Sequence, residues 1–478
     1  MSEGRVLPQS VDYTKILPLA VESRSRRRSF FPTNGQSFSS SANNIIRIDL
    51  SASAFLDTKH SYLRFRFTNN SGRTMGFDYG GGQGIIRRLR IEQAGTVLSD
   101  CNHYNKLLSS IILPSQVGVD GNAHRSLTEG QRFASEGAAG NSMLPALAAE
   151  VSGAMINTPS NSNALIANNG TYTFCIPLVN GLLGTTQNKM VPLQLLGSSP
   201  LTIEIELAPL LDVGVFAVAA PIAGTDYTID NVRYIAQLVE VGPEVDAQLR
   251  MVQEMSGGKL VLNGTDYTHF NGNIAANAQG NQVINVPARR KSLKSLFFVG
   301  ASTTYAAAGA GGAEHNFVYN LSYGGNFNMI DYQLKIGSVV YPPTPVDCQF
   351  QGAATPFQRA EAVSELAKCW GTVSSAHGTG SLSTINAYTT DCLVAGMTVP
   401  AAAGAAARTL KFAPFGLDLE AFQRTAIESG VNTASASLPI SLIINIGAAQ
   451  AEAINIDAYV SYDSLYYIDE TGSIRVSL

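Results

Sequence analysis

The sequence contains few side-chain groupings that could perform catalysis or hold a metal ion. No two of its six histidines lie within four residues of each other; they are His60, His103, His124, His269, His315 and His377. A metal site on a β-sandwich needs a close histidine pair with a carboxylate, and a helical zinc site needs the HExxH spacing. Because neither pattern is present, we expect the histidines to be surface or core residues and predict no bound metal.

Other patterns associated with chemistry are better explained by structure. The glycine-rich segment 80–84 (GGGQG) is not followed by Lys-Ser or Lys-Thr, and its flanks resemble strands, whereas a phosphate cradle needs a helix N-terminus. Glu204 and Glu206 are two residues apart in a strand pattern, so they share its solvated face. No nucleophile elbow of the Gly-x-Ser-x-Gly type joins a strand to a helix. We therefore predict that the protein is not an enzyme and uses no cofactor and no small-molecule substrate.

One charged cluster stands out near the N-terminus. It lies in segment 23–29 (SRSRRRS), ahead of the first predicted strand, and contains Arg24, Arg26, Arg27 and Arg28. Such a basic arm can neutralise the phosphates of nucleic acid or lipid headgroups. It can also clamp an acidic neighbouring subunit or simply be solvated. Because no aromatic residues are interleaved, the cluster does not choose among these alternatives.

The composition indicates that the elements positioning these residues are mostly strands and turns. The chain has 478 residues, of which 14% are charged, against about 25% in ordinary soluble proteins. Hydrophobic residues make up 45%, so the low charge does not indicate disorder. With 44 glycines and 20 prolines, the chain is not a coiled coil or a long-helix protein. The net charge of −4 argues against nucleic-acid binding over the whole surface.

Alternating hydrophobic and polar residues are the strongest local signal. Ile46, Ile48 and Leu50 alternate with Arg47 and Asp49, and segments 61–67, 88–92 and 201–207 repeat the pattern. One buried and one solvated face per strand is typical of an antiparallel sandwich. Short helices are predicted at 102–113, 244–255, 359–368 and 417–428. Two long segments without strong periodicity, 115–170 and 344–408, are predicted to be either flexible surface insertions or interaction surfaces.

The five cysteines indicate a reducing compartment. They are widely spaced, odd in number and form no CxxC pair, which predicts neither disulfides nor zinc. The N-terminus lacks the apolar centre of a signal peptide, and no apolar run reaches the roughly 18 residues of a membrane span. We therefore expect synthesis in the cell interior without secretion through a signal peptide.

The sequence contains an internal duplication. Four segments of the first half match four of the second in the same order: 200–207 with 439–446, 89–98 with 334–340, 174–177 with 412–414, and 228–232 with 455–459. Each match is weak, but their common order and similar spacing indicate two homologous β-sandwiches. Long connections between hairpin partners favour a jelly roll over an immunoglobulin sandwich.

We predict an all-β protein of two tandem eight-stranded antiparallel jelly rolls, with short helical inserts and long loops. The predicted domains are a basic arm at 1–29, a first jelly roll at 30–242, a linker helix at 243–257 and a second jelly roll at 258–478.

Both ends of the chain resemble a known family. The segments 31–39 (FPTNGQSFS), 44–50 (NIIRIDL), 55–57 (FLD) and 61–65 (SYLRF) carry the resemblance at the start, and 429–432 (SGVN), 439–442 (PISL), 458–463 (AYVSYD) and 465–468 (LYYI) carry it at the end. Together they resemble the double-jelly-roll major capsid proteins of tailless icosahedral double-stranded DNA viruses, in particular those of polinton-like viruses and virophages. These are strand and turn patterns, and the long loops are not covered.

The resemblance implies a homotrimer with a pseudo-hexagonal outline that tiles the facets of an icosahedral virion. Its partners would be further copies of itself, neighbouring capsomers, and penton and minor capsid proteins. The long inserts would form outward towers, and the arginines of the arm would lie at the inner rim, near an internal membrane, the genome or a neighbouring subunit. The family has no catalytic residues.

An attachment or glycan-binding protein is the main alternative. A trimeric jelly roll of that kind should carry clustered aromatics or calcium-binding Asp and Asn residues at its loop tips, but segment 115–170 contains Phe133 as its only aromatic residue.

Overall fold

A computed structural model describes the chain at residues 22–73, 75–77, 80–116, 128–129, 166–186, 189–197, 199–216, 222–303, 321, 324, 327–348, 360–371, 398–399, 408–409, 414–422, 429–435, 438–449 and 453–477. The fold over these ranges is dominated by four antiparallel sheets that pair into two sandwiches. Much of the two long segments predicted to be insertions or interaction surfaces lies outside the described residues.

Sheets I and II form the first sandwich. The strands of sheet I, in spatial order, are β1 (Ser23–Phe30), β12 (Asp226–Val241), β4 (Phe55–Asn70) and β8 (Thr171–Ile176), with β2 (Ser37–Phe38) on β12 and β9 (Val191–Pro192) on β4. Those of sheet II are β3 (Ile45–Leu50), β10 (Leu201–Leu207), β6 (Ile86–Gln93) and β7 (Thr96–Asn102). A separate small sheet pairs β5 (Met75–Phe77) with β11 (Gly214–Phe216).

Sheets III and IV form the second sandwich. The strands of sheet III are β13 (Lys259–Ile274), β22 (Ile454–Asp469), β15 (Leu293–Ser302) and β20 (Pro414–Asp418), with β23 (Ile474–Ser477) on β22. Those of sheet IV are β14 (Gly280–Asn285), β21 (Ile440–Ile446), β16 (Met329–Ile336) and β17 (Val339–Asp347). A two-stranded sheet pairs β18 (Thr398–Val399) with β19 (Arg408–Thr409).

Helices are short and lie between strands. They are α1 (Tyr104–Lys106), continued by a π-helix (Leu107–Ile112) and α2 (Leu113–Gln116), then α3 (Leu210–Val213), α4 (Pro243–Met255) and α5 (Ala360–Trp370). Within the described ranges, 3₁₀ turns lie at Gly81–Ile85 and Leu193–Leu195. In the described ranges, no helix is both long and apolar enough to cross a membrane.

The two sandwiches have the same strand order, and that order is the order of a jelly roll. We call the four strands in the spatial order of each of sheets I to IV its main strands and count them along the chain within each roll. In both rolls, the first, eighth, third and sixth main strands form one sheet, and the second, seventh, fourth and fifth form the other. Three of the four sequence matches fall on equivalent strands: β10 with β21, the β6–β7 hairpin with β16–β17, and β12 with β22. The fourth matches 174–177 with 412–414; of the latter segment, Pro414, the first residue of β20, lies in the described ranges and the rest lies outside them. Each roll therefore has eight main strands, and the predicted fold class is confirmed.

Most predicted elements are present, and the differences have local causes. The predicted helix at 102–113 is interrupted by a π-helix and continues through Pro114 to Gln116. The helix predicted at 417–428 is wrong at its start, because Leu417 and Asp418 pair with β15 as part of β20. Its later part, 423–428, lies outside the described residues. The glycine-rich segment folds into a buried 3₁₀ turn whose Gly82 packs against Phe174 and Ile176.

The hydrophobic core of the first roll continues into the second. One cluster joins residues of sheets I and II to residues of sheet III, including Phe297, Tyr459 and Tyr466. A second cluster fills the space between sheets III and IV. Residues of β22 contribute to both clusters, which explains why this strand is buried on both faces.

The outermost strand of sheet IV is rich in proline. The β17 strand reads VVYPPTPVD and pairs on one side with β16, which leaves its other side at the sheet edge. Pro342, Pro343 and Pro345 have no backbone N–H, which is compatible with an edge position.

Candidate functional site

Charged residues cluster in two regions of the described structure. The first is the joint between the two rolls, and the second is the outer face of sheet I. In the joint, the outer face of sheet III packs against β7, α1 and the loop 180–185 of the first roll. Gly181 donates its backbone N–H to the Thr265 carbonyl at 3.2 Å. Gly181 has a positive φ of 55°, and a Cβ there would lie 2.6 Å from Asp266 Oδ1. The two rolls therefore approach each other backbone to backbone at this point.

Asp266 of β13 lies at the centre of a buried hydrogen-bond network in the joint. Ser99 Oγ donates to Asp266 Oδ1 at 2.7 Å, and Tyr466 Oη donates to Asp266 Oδ2 at 2.5 Å. The Asn180 amide in turn donates to Ser99 Oγ at 2.6 Å. Burial raises the pKa of Asp266, while the hydrogen bonds oppose this rise. The network connects β7 and loop 180–185 of the first roll to β13 and β22 of the second.

An ion cluster lies beside this network. Lys106 of the first roll forms a salt bridge with Asp457 of β22, and His269 Nε2 lies 2.7 Å from Asp457 Oδ1. The His103 ring lies 4.6 Å from the His269 ring, and Tyr459 Oη donates to the His103 carbonyl at 3.0 Å. These contacts join Lys106 and His103 of the first roll to Asp457, His269 and Tyr459 of the second.

Burial and charge shift the pKa values in this cluster. Burial opposes ionisation of Asp457, but the Lys106 ammonium and His269 overcome it and hold the pKa of Asp457 well below its ordinary value. Burial and, to a smaller extent, the neighbouring His269 lower the pKa of His103 to about 4. At neutral pH His103 is therefore uncharged and Asp457 is ionised. Among the described residues, no group of His, Cys, Asp and Glu is arranged to hold a metal ion.

The four predicted site arginines all lie in β1. The expectation that they precede the first strand is wrong, since β1 pairs with β12 over its whole length, from Ser23 opposite Val241 to Phe30 opposite Tyr234. Sheet I therefore begins inside the segment assigned to the arm. Sequence periodicity could not reveal this strand, because its residues are exposed on both faces up to Arg28.

The pleat of β1 separates the four arginines. Arg24, Arg26 and Arg28 share a face with the buried Phe30, and Arg27 lies on the opposite, outer face. Arg26 forms a salt bridge with Glu240 at 2.7 Å, and Arg28 Nη1 donates to the Ser51 carbonyl at 3.2 Å. The arginines are thus not one continuous patch.

The outer face of sheet I carries further arginines that the sequence did not single out. We call Arg27, Arg64, Arg66 and Arg233 the arginine face. Arg27 lies over the Tyr62 ring at 5.8 Å, and Arg66 Nε donates to Asp230 Oδ1 at 2.6 Å. The alternation of β4 placed Arg64 and Arg66 on its solvated face, but no local pattern indicates that they meet Arg27 and Arg233 of other strands.

Comparisons with known proteins support the fold. No family model matches the chain, and no curated protein matches it. Solved structures do. The Sputnik virophage structure matches with a TM-score of 0.57 and 11% identity, covering 100% of this chain and 93% of that chain. The Faustovirus major capsid protein matches with a TM-score of 0.54 and 8% identity, covering 97% of this chain and 92% of that chain.

A third structure, the PBCV-1 virus capsid, matches with a TM-score of 0.54 and 10% identity, covering 98% of this chain and 99% of that chain. At these identities the similarity establishes the fold. The chain has the double-jelly-roll fold of viral capsid structures, and the three matches cover 97–100% of its length.

Proposed function

We propose that this protein is the major capsid protein of an icosahedral virus and acts as a structural component without catalytic activity. The observation that carries the proposal is the full-length match to double-jelly-roll capsid structures, in which this chain covers at least 92% of the matched chain. Fold alone does not fix function, so the joint and the exposed faces provide the further argument.

The proposed assembly unit is a homotrimer with a pseudo-hexagonal outline. Within one chain, the outer face of sheet III is covered by β7 and α1 of the first roll. The equivalent face of the first roll, the outer face of sheet I, is exposed within the chain, with Arg66 as one of its exposed residues. Such head-to-tail contacts form a closed ring when the rotation from one identical subunit to the next closes on itself. Three copies would close a ring of six rolls.

The proposed surroundings of this trimer are those of a virion. Neighbouring capsomers, penton proteins and minor capsid proteins would be its partners in the shell. Arg24, Arg26, Arg27 and Arg28 would contact a neighbouring subunit, the genome or an internal membrane at the inner rim. Three of the four share one face of β1, which supports a role as a local basic surface.

The test is the mass and shape of the purified protein. Multi-angle light scattering should give three times the chain mass of 50.6 kDa, and negative-stain microscopy should show hexagonal outlines. A stable monomer whose melting temperature rises on adding glycans would favour an attachment protein instead. A stable monomer without any such response would contradict both functions.

A further inference from the structure

The arginine face carries positive charge that the described part of the chain does not neutralise. Asp230 pairs with Arg66, but Arg27, Arg64 and Arg233 form no ion pair within the described ranges. The polar contact of Arg233 is to the neutral Asn231 at 3.1 Å. Three guanidinium groups on one sheet face therefore lack a carboxylate from the described part of the chain.

The position of two of these arginines is unfavourable in an isolated chain. Arg64 and Arg233 lie directly opposite each other on β4 and β12. Like charges in directly opposed positions destabilise an antiparallel pair. In addition, Arg64 Nη1 and Arg233 Nε are buried and have no hydrogen-bond acceptor among the described residues. A buried donor without a partner costs free energy. An anion bound beside the two guanidinium groups would offset their mutual repulsion and stabilise this face.

A surface of opposite charge lies on the second roll. We call Asp331, Asp347 and Glu361 the acidic edge. Asp331 and Asp347 lie opposite each other on β16 and β17, and the Asp347 N–H donates to Glu361 Oε2 at 3.1 Å. Asp331 accepts a hydrogen bond from the Asn445 amide at 2.9 Å and forms no ion pair within the described ranges.

The duplication relates these two surfaces to the joint. When Pro200 of the first roll is matched to Pro439 of the second, the strand registers place Asp331 at the position of Arg88 and Asp347 at the position of Asn102. In the first roll, Arg88 and Asn102 pair in the β6–β7 hairpin, and β7 leads from there into α1. Lys106 of α1 forms a salt bridge with Asp457 of sheet III. The acidic edge therefore occupies the place in the second roll from which the first roll makes its joint contact.

The surfaces on which these contacts are made, the outer faces of sheet III and sheet I, are also equivalent in the two rolls. The sequence match of 228–232 with 455–459 aligns Asp230 with Asp457, and both residues lie on the outer face of an equivalent sheet. Within the chain, Asp457 lies in the ion cluster of the joint, where it contacts Lys106 and His269. Asp230 lies on the arginine face, beside Arg66.

We propose that the arginine face of one copy binds the acidic edge of a second copy, with Arg64 and Arg233 receiving the carboxylate of Asp331. This contact rests on the homotrimer proposed above and assigns the residues that hold it together. It repeats the joint between the rolls with the charges reversed, since there a lysine of the first roll meets a carboxylate of the second.

Charge reversal on each surface tests this contact. We expect R64E and D331R each to raise the concentration at which trimers dissociate by about tenfold or more, because each places like charges across the contact. The combined variant R64E/D331R should restore the wild-type value to within about threefold. R64E also places a carboxylate opposite Arg233, so folding of the chain should not suffer. The exposed residues of α4 provide matched controls, R250E and E254R, which should leave dissociation unchanged.

The outcomes separate this contact from the proposed function. Trimeric wild-type protein with unaffected single variants would overturn the contact and leave the capsid proposal intact. The contact would also be overturned, with the capsid proposal intact, if R64E weakens the trimer and D331R does not. It would be overturned likewise if both single variants weaken the trimer, melting curves show that the chains are folded, and the combined variant does not restore trimer stability. Monomeric wild-type protein would overturn the homotrimer and the contact together.

Discussion

Asp457 and Asp230 occupy the same strand position in the two rolls but lie in different environments. The Asp457 side chain is 6% exposed and is paired with Lys106, whose side chain is 14% exposed. The Asp230 side chain is 26% exposed and pairs with the exposed Arg66. Removing one partner of a buried pair leaves an uncompensated charge, whereas exposed pairs contribute little. The same substitution should therefore have different effects at the two positions.

We predict that Asp457→Asn lowers the free energy of unfolding by about 3 kcal/mol, because it leaves the Lys106 ammonium buried without a counter-charge. The matched substitution Asp230→Asn should cost less than about 1 kcal/mol. Urea denaturation of both variants at one protein concentration measures the difference. Equal losses would show that the Lys106–Asp457 pair does not stabilise the joint.

His103 makes the stability of the fold depend on pH. Its folded-state pKa of about 4 is below the ordinary value of 6.5, so the unfolded chain binds a proton first as the pH falls. The contribution of neutral His103 is complete above pH 6.5 and is lost as the pH falls towards 4. Asp457, with its lowered pKa, acts in the same direction at lower pH, since its ionised form is favoured in the folded state.

We predict that the free energy of unfolding decreases by about 2 kcal/mol from His103 alone between pH 7 and 4.5. His103→Asn should reduce the decrease by that amount, and asparagine suits the positive φ of 49° at this position. Denaturation curves at several pH values provide the measurement, with the exposed His60→Asn as control. A pH profile unchanged by His103→Asn would contradict the assignment.

At the scale of elements, equivalent strands of the two rolls carry corresponding cross-strand phenylalanine pairs. Phe174 of β8 lies opposite Phe65 of β4, and Phe415 of β20 lies opposite Phe298 of β15. The ring centroids are 5.3 Å apart in the first pair and 5.1 Å apart in the second. Aromatic cross-strand pairs stabilise a sheet beyond the area they bury.

Truncating either phenylalanine of the short strands should destabilise the protein. We predict a loss of about 3–5 kcal/mol for Phe174→Ala and for Phe415→Ala, since each ring is fully buried among other rings. Phe422→Ala removes a ring that is 66% exposed and should change stability by less than about 0.5 kcal/mol. Guanidinium denaturation distinguishes these cases, and a small effect at Phe174 or Phe415 would mean that the cores rearrange around the lost rings.

The sequence predicted the strands whose two faces differ and missed those whose faces are alike. Ile46, Ile48 and Leu50 of β3 alternate with polar residues, and that strand was predicted correctly. The β1 strand has a run of polar residues and becomes a strand only through its pairing with β12, about 200 residues away in sequence. The joint and the arginine face depend on contacts between distant strands, which local periodicity does not encode. The repeat of 228–232 at 455–459 predicted the duplication but neither of these two surfaces.

At the scale of the whole molecule, the two rolls share one hydrophobic cluster. Residues of sheet III, including Phe297 and Tyr466, belong to the cluster that also fills the first roll. Separating the rolls would expose this apolar surface together with the buried Asp266 network. Neither roll is therefore expected to be stable alone.

We predict a single cooperative unfolding transition for the full chain, because neither roll can unfold without exposing the core of the joint. Differential scanning calorimetry measures this, with the calorimetric enthalpy equal to the van't Hoff enthalpy. Two resolved transitions would show that the rolls are independent domains joined only by α4.

The prolines of β17 have a consequence for the behaviour of concentrated protein. An open sheet edge invites a strand from another molecule and can start cross-β aggregation. At Pro342, Pro343 and Pro345 the edge strand has no amide hydrogen to offer an incoming backbone. Crowded copies are thus kept from merging their sheets into fibres at this edge, and they remain available to associate through their side chains.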